Sequence, residues 1–238
     1  MLSLGCPKNL VDGEVMLGRL RGAGYRLVAD AKQADVIVVN TCAFIDRAKQ
    51  ESVDAILEMA REKEAGRAKR LVVTGCLTQR YDADLRREIP EIDATLGTGQ
   101  VDQIARAVGG EATSLAEAAP GLPTWVYDHT APRVLSTPPW LAYLKISEGC
   151  DYTCSFCIIP TLRGRHRSRG VEDVVAEARA LAARGVREVV LVAQDSTRYG
   201  LDHGVRDGLA YLLRRLGRVD GLRWIRVMYA YPSTLTDP

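Results

Sequence analysis

Val36-Ile37-Val38-Val39-Asn40 is a short aliphatic, β-branched run, and Cys42 stands two residues beyond it. Such a run reads as a buried strand. The pattern occurs twice more. Leu71-Val72-Val73-Thr74 precedes Cys76, and the shorter Leu2-Ser3-Leu4 precedes Cys6. A helical pattern follows each cysteine. Alternating strands and helices argue for a parallel sheet with helices on its faces. In such a sheet, ligands gather beyond the carboxyl ends of the strands. Cys6, Cys42 and Cys76 are therefore expected to meet at one edge as a three-thiolate site. A free cysteine is often just a small core hydrophobe, and each of these alone would read that way. Three of them in one equivalent position point to ligation instead.

The rest of the first 110 residues keeps the alternation. Helices are expected near 11–20, 46–64, 78–87 and 101–108, with a fourth strand at 94–96. Val53, Ile56, Leu57 and Ala60 give the second helix an apolar stripe. From 111 to 139 the pattern dissolves. Pro120, Gly121, Pro123, Pro132, Pro138 and Pro139 break regular elements. This stretch reads as a linker, with an edge strand around 125–127. Alternation resumes at Trp140, with strands at 141–146, 189–192 and 224–228 and helices at 171–183 and 209–216. The fold class is thus α/β: an N-terminal parallel α/β sheet domain (1–110), a linker (111–139), and the first units of a β/α barrel (140–238). The chain reads as a fragment.

The loop after the 141–146 strand carries Gly149-Cys150-Asp151-Tyr152-Thr153-Cys154-Ser155-Phe156-Cys157, a C-x3-C-x2-C run with no fourth cysteine nearby. Thiolates are the usual ligands of iron–sulfur clusters. Three of them on a four-iron cluster leave one iron open, and an open position is what a catalytic metal site keeps. The alternative is zinc, with His166 as the fourth ligand. The long gap from Cys157 to His166 disfavours it, and zinc leaves the N-terminal cysteines unexplained.

Net charge is +2 over 238 residues, so no global field draws the chain to nucleic acid or membrane. No apolar run approaches the ~18 residues of a membrane span. Met1 to Cys6 lacks the basic start and long apolar core of a signal peptide, so a cytoplasmic setting is expected. Six cysteines allow disulfides by number, but a reducing cytosol disfavours them. Arg163, Arg165, Arg167 and Arg169 alternate through one stretch, equally readable as an anion contact or a solvated loop. Gly97-Thr98-Gly99 lacks a third glycine and reads as a plain turn. His129 and His203 read as surface residues.

With both cysteine sets placed, the chain resembles the radical S-adenosylmethionine methylthiotransferases. Gly149-Cys150 through Arg169 matches the radical signature, including Pro160, Arg163-Gly164 and Ser168-Arg169. Ser3-Leu4-Gly5-Cys6-Pro7-Lys8-Asn9, Asn40 through Ile45, Gly75 through Tyr81, Ala193-Gln194-Asp195-Ser196 and Met228 through Pro232 resemble the RimO branch. The transfer-RNA branch usually carries Gln-Met-Asn after its first cysteine, where this chain has Pro-Lys-Asn.

The resemblance implies two [4Fe–4S] clusters and S-adenosyl-L-methionine as cofactors. Cys150, Cys154 and Cys157 would hold the cluster that cleaves the sulfonium and generates a 5′-deoxyadenosyl radical. Cys6, Cys42 and Cys76 would hold the one that delivers sulfur. Phe156 would lie near the adenine, and Gln194 and Asp195 would line the cofactor pocket. No residue is singled out as a catalytic acid or base. The implied reaction adds a methylthio group to the β-carbon of an aspartate in the small-subunit ribosomal protein uS12. An electron donor and a sulfur source are implied as partners, with no membrane and no required nucleic-acid contact. The alternatives are a transfer-RNA enzyme of the same family and a non-catalytic metal-binding module. The family has a longer barrel and a TRAM domain, which this chain lacks.

Overall fold

The computed structural model describes residues 1–111 and 122–232. The chain forms two units. The first comprises Met1–Trp125, Pro132–Val134 and Ser155–Arg163; the second comprises Val126–Ala131, Leu135–Cys154 and Gly164–Pro238.

The first unit is built from β1 (Leu2–Ser3), α1 (Pro7–Gly22), β2 (Val36–Thr41), α2 (Asp46–Ala65), β3 (Arg70–Gly75), α3 (Cys76–Glu88), β4 (Ala94–Leu96) and α4 (Ile104–Gly109). The strands pair in the order β1-β2-β3-β4, all parallel. Val38 lies opposite Val72 and Val39 opposite Val73. Successive side chains alternate between faces. Ile37, Val39, Leu71 and Val73 share a core cluster with Ile56 and Ala60 of α2. The intervening Val38 and Val72 are buried too. A sheet covered on both faces explains why these strands read as unbroken apolar runs.

Local chemistry sets the helix starts. Pro7 sits in the first turn of α1, where its missing N–H costs nothing, and Arg19 and Arg21 occupy the last turn beside the negative dipole end. α3 begins at Cys76 itself, two residues before the sequence-based boundary. Gly75 has φ +101° and ψ −152°, a conformation open essentially only to glycine, and it turns the chain from β3 straight into the helix.

The second unit has β5 (Leu141–Lys145), β6 (Ser147–Glu148), β7 (Arg167–Ser168), α6 (Val171–Ala183), β8 (Glu188–Val192), α7 (Gly208–Leu216) and β9 (Trp224–Val227). The short helix α5 (Ile159–Arg163) lies between β6 and β7 in sequence but packs in the first unit. Strands pair in the order β5-β8-β9, all parallel, and β6 pairs antiparallel with β7. Leu144, Ile146, Val174, Ala178, Leu191, Leu212 and Leu216 form its core. Parallel strands joined through α6 and α7 are the repeating unit of a β/α barrel.

No strand forms at 125–127. Tyr127 is instead buried in the second unit, its hydroxyl 3.3 Å from Glu177 and its ring 4.3 Å from the Arg169 guanidinium. In the first unit, Arg133 pairs with Glu14 at 2.5 Å, both side chains being almost fully buried. The Val134 amide donates to the Glu14 carbonyl at 3.0 Å. A Cβ on Gly18 would come within 2.1 Å of the Pro132 carbonyl oxygen, so glycine is what allows that segment onto α1. The proline-rich stretch is therefore anchored at several points rather than freely solvated. Its residues 112–121 lie outside the described ones.

Candidate metal centres

The three N-terminal cysteines lie at the carboxyl ends of three adjacent parallel strands. Cys6 is the N-cap of α1, Cys42 directly follows β2, and Cys76 is the first residue of α3. Helix N-termini present unpaired N–H groups and a positive dipole end, which favours thiolate over thiol. Gly5 makes the cluster of loops possible. It has φ +88°, and a Cβ there would lie 2.7 Å from the Cβ and 2.9 Å from the Sγ of Cys42.

A buried polar network holds these loops. Asn9 donates to the Leu4 carbonyl at 2.7 Å and to the Thr41 carbonyl at 3.1 Å. Asn40 donates to the Asn9 carbonyl at 2.8 Å. The Ser52 hydroxyl accepts from the Cys42 amide at 3.0 Å and donates to the Cys42 carbonyl at 2.9 Å. Arg163 donates to Asp12 at 2.6 Å and to Asn9 Oδ1 at 3.1 Å, and reaches Sγ of Cys76 at 3.3 Å. Burial pushes the Cys76 thiol up to about 11, against the opposing pull of Arg163. A coordinating metal would hold such a thiol deprotonated.

Three thiols at adjacent strand ends are the ligand type of iron–sulfur clusters. Among the described residues, only Asp128, His129 and Asp173 bring three metal-type donor atoms within 4.8 Å of one another. All six cysteines are free. Asp128 and His129 are exposed and Asp173 is half-buried, and the two carboxylates are already engaged with Thr130 and Arg169.

The second cysteine loop starts at Gly149, with φ +83°. Cys150 is buried, and its amide donates to the Gly164 carbonyl at 3.0 Å. Cys154 is exposed and Cys157 half-buried. Beneath the loop, Glu148 takes Lys145 at 2.6 Å, the Gly149 amide at 3.3 Å, and the amide nitrogen of Gln194. Asp195, buried after β8, accepts from the Thr197 amide at 2.9 Å with Oδ1. Gln194 Oε1 is a buried acceptor without a protein partner, whereas Asp195 also faces the Tyr152 hydroxyl. Phe156 is 88% exposed. Tyr152 stacks on Tyr231 with centroids 5.2 Å apart, and Arg198 lies 5.1 Å from the Tyr152 ring.

His166 turns its Nε2 to Ser168 at 3.1 Å, with Asp202 at 3.8 Å. Burial holds its imidazole below the ordinary range, although Asp202 pulls the other way. The folded state thus favours the neutral ring. That contribution is complete above the unfolded value of about 6.5 and is lost as pH falls through the folded value. The urea midpoint is expected to drop between about pH 7.5 and about pH 5.5, and His166→Gln to flatten that dependence. An unchanged slope in the variant would remove His166 as its source.

The arginine run divides by position. Arg163 and Arg169 are buried in ion pairs, Arg165 is exposed, and Arg167 is half-buried. Asn9, Asp12, Ser52 and Glu148 escape the sequence reading. Asn9 and Asp12, three apart and directly after the Cys6-Pro7 helix start, are the signal that could have found two of them, since i and i+3 share a helix face.

Comparison with known proteins agrees with this architecture. Residues 1–97 match the uncharacterized protein family UPF0004, and residues 144–238 the radical SAM superfamily. The chain is 56% identical over 237 residues to the ribosomal protein uS12 methylthiotransferase RimO of Anaeromyxobacter sp. (strain K), covering 100% of this chain and 50% of that protein. It is 52% identical over 239 residues to the RimO of Geobacter sulfurreducens, covering 100% of this chain and 53% of the relative. The chain thus spans about half the length of the curated relatives it matches. Among solved structures, the radical S-adenosylmethionine methyltransferase TsrM from Kitasatospora setae superposes with a TM-score of 0.58 at 16% identity, covering 92% of this chain and 51% of that one. That likeness concerns the fold. In one chain, then, a UPF0004 segment is joined to a segment of the radical SAM superfamily, and half or more of the residues along its whole length are shared with the matching half of RimO proteins.

Proposed function

We propose that the protein to which this chain belongs adds a methylthio group to the β-carbon of an aspartate in ribosomal protein uS12. The observation that carries this reading is the presence of two separate three-thiol sets in one chain, each leaving a cluster iron without a protein ligand. Cys6, Cys42 and Cys76 would hold one [4Fe–4S] cluster, and Cys150, Cys154 and Cys157 the other. When bound, the second cluster with S-adenosylmethionine supplies a carbon-radical initiator, and the first supplies the sulfur.

The residues present fit those groups. The first set offers three thiols at the carboxyl ends of adjacent parallel strands, the usual ligand type of an iron–sulfur cluster. Gln194 Oε1 is a buried acceptor left over at the carboxyl end of β8, where S-adenosylmethionine offers amine and ribose hydroxyl donors. Glu148 ties Gln194, Lys145 and the Gly149 amide together and so fixes the start of the Cys150 loop. Ser52 and Asn9 fix the loops of Cys42 and Cys6 in the same way. The exposed Phe156 leaves an apolar surface beside the third cysteine, suited to an adenine face. An electron donor and a sulfur source are required partners. A cytoplasmic setting, where thiols stay reduced, goes with six free cysteines.

Anaerobic reconstitution with iron and sulfide tests the ligand assignment. The chain is expected to bind about eight irons, and the Cys150/Cys154/Cys157 triple alanine variant about four. Zinc in place of iron, or no metal, would leave a metal-binding module without radical chemistry. Assays of the full-length parent on uS12 and on transfer RNA then decide the substrate. Thiomethylated RNA beside unmodified uS12 would overturn the ribosomal reading.

A further inference from the structure

Arg163 sits where neither cysteine set requires a cation. It closes α5, six residues after Cys157. Its side chain is only 3% exposed, and that of Asp12 only 4%. One terminal nitrogen donates to Asp12 Oδ2 at 2.6 Å; the other donates to Asn9 Oδ1 at 3.1 Å and points at Sγ of Cys76 at 3.3 Å. The preceding carbonyl, that of Leu162, accepts from Thr98 Oγ1 at 2.6 Å. Backbone and side chain are both anchored within the first unit, so the guanidinium cannot leave the sulfur without breaking a buried ion pair.

Hydrogen bonds to ligating sulfurs, together with net local charge, set the reduction potential of a cluster. A charge-assisted N–H on sulfur draws electron density from the iron–sulfur bond and favours the reduced state. We propose that Arg163 is a positioning residue of the N-terminal thiol centre, donating to the Cys76 sulfur and raising that centre's reduction potential, with Asp12 aiming it and partly offsetting its charge. This rests on the reading of Cys6, Cys42 and Cys76 as cluster ligands. Two signs follow. Removing the cation lowers the midpoint potential. Removing the Asp12 charge while keeping its shape raises it. Loss of structure alone has no reason to move the two variants in opposite directions.

The test uses the whole 238-residue chain with Cys150, Cys154 and Cys157 replaced by alanine, reconstituted anaerobically so that only the N-terminal centre loads. Iron and sulfide are counted, and the midpoint is read by potentiometric titration followed by the electron paramagnetic resonance signal of the reduced cluster. Arg163→Gln is expected to lie below the parent, Arg163→Lys between them, and Asp12→Asn above the parent. An Arg163→Gln midpoint equal to the parent's at full iron content overturns the proposal, as do Arg163→Gln and Asp12→Asn moving the same way. Should Arg163→Gln fail to hold iron, the Arg163→Lys and Asp12→Asn pair decides: opposite displacements support the role, and equal or absent ones overturn it. A parent that binds no iron overturns the ligand reading and this role together, whereas a loaded parent with unmoved variants overturns the role alone.

Discussion

Gly149→Ala is expected to destabilise the second unit by about 3–5 kcal/mol, one of the largest effects of any single methyl group in this chain. Two costs combine. The residue has φ +83°, which an L side chain rarely adopts. The added Cβ would also lie 2.0 Å from the carbonyl oxygen of Arg165 and 2.6 Å from that of Gly164. Both are backbone atoms, so nothing flexible can yield. Gly185 separates the two costs. It has φ +99°, but open space where its Cβ would go. Gly185→Ala should therefore cost only the conformational part, about 1–2 kcal/mol. Hydrogen exchange of β5 and β8 amides in both variants measures the difference. Equal losses of protection would mean that the close approach to Arg165 carries no weight.

Arg169→Met should cost a similar amount, about 3–5 kcal/mol, through stranded charge rather than crowding. Arg169 donates to Asp173 at 2.7 Å, to Glu177 at 2.6 Å and to the Lys145 carbonyl at 2.9 Å, beneath the Tyr127 ring. Burial alone would raise the Asp173 carboxyl, yet the bonds from Arg169 and His129 hold it below the ordinary range. Methionine fills part of the volume but leaves the Glu177 carboxylate buried without the guanidinium. Lysine keeps the charge but cannot span three acceptors, so Arg169→Lys should recover only part of the loss. The Arg169→Met/Glu177→Met double variant should be more stable than Arg169→Met alone, because it removes the stranded charge. Chemical denaturation of these three variants and of Glu177→Met alone tests this. A double variant whose loss equals the sum of its parts would show that the carboxylate is not the source.

Much of the fold was legible because its strands are buried on both faces. The runs 36–40 and 71–74 had nowhere to go but a covered parallel sheet. The thiol sets followed from strand ends. The supports of the sites did not. Arg163 finds Asp12 across 151 positions, and Arg133 finds Glu14 across 119. Ion pairs at that separation leave no periodic trace, so Arg163 looked no different from the exposed Arg165 two residues on. The aromatic residues around 125–127 suggested a strand by propensity alone. Tyr127 went instead to a buried carboxylate and a guanidinium, and tertiary partners outweighed a preference worth at most about 1 kcal/mol.

The strand-end thiols also bear on how the first unit keeps its shape. Cys6, Cys42 and Cys76 are separated by 36 and 34 positions. Any group bonded to all three sulfurs closes two covalent rings of that size across β1, β2 and β3. By the loop-entropy relation used for disulfides, each closure is worth about 4 kcal/mol against the unfolded chain. Such a group would act as a cross-link of the sheet. Stripping it with a chelator would loosen the sheet that presents it, so loss of metal and loss of fold would be one event.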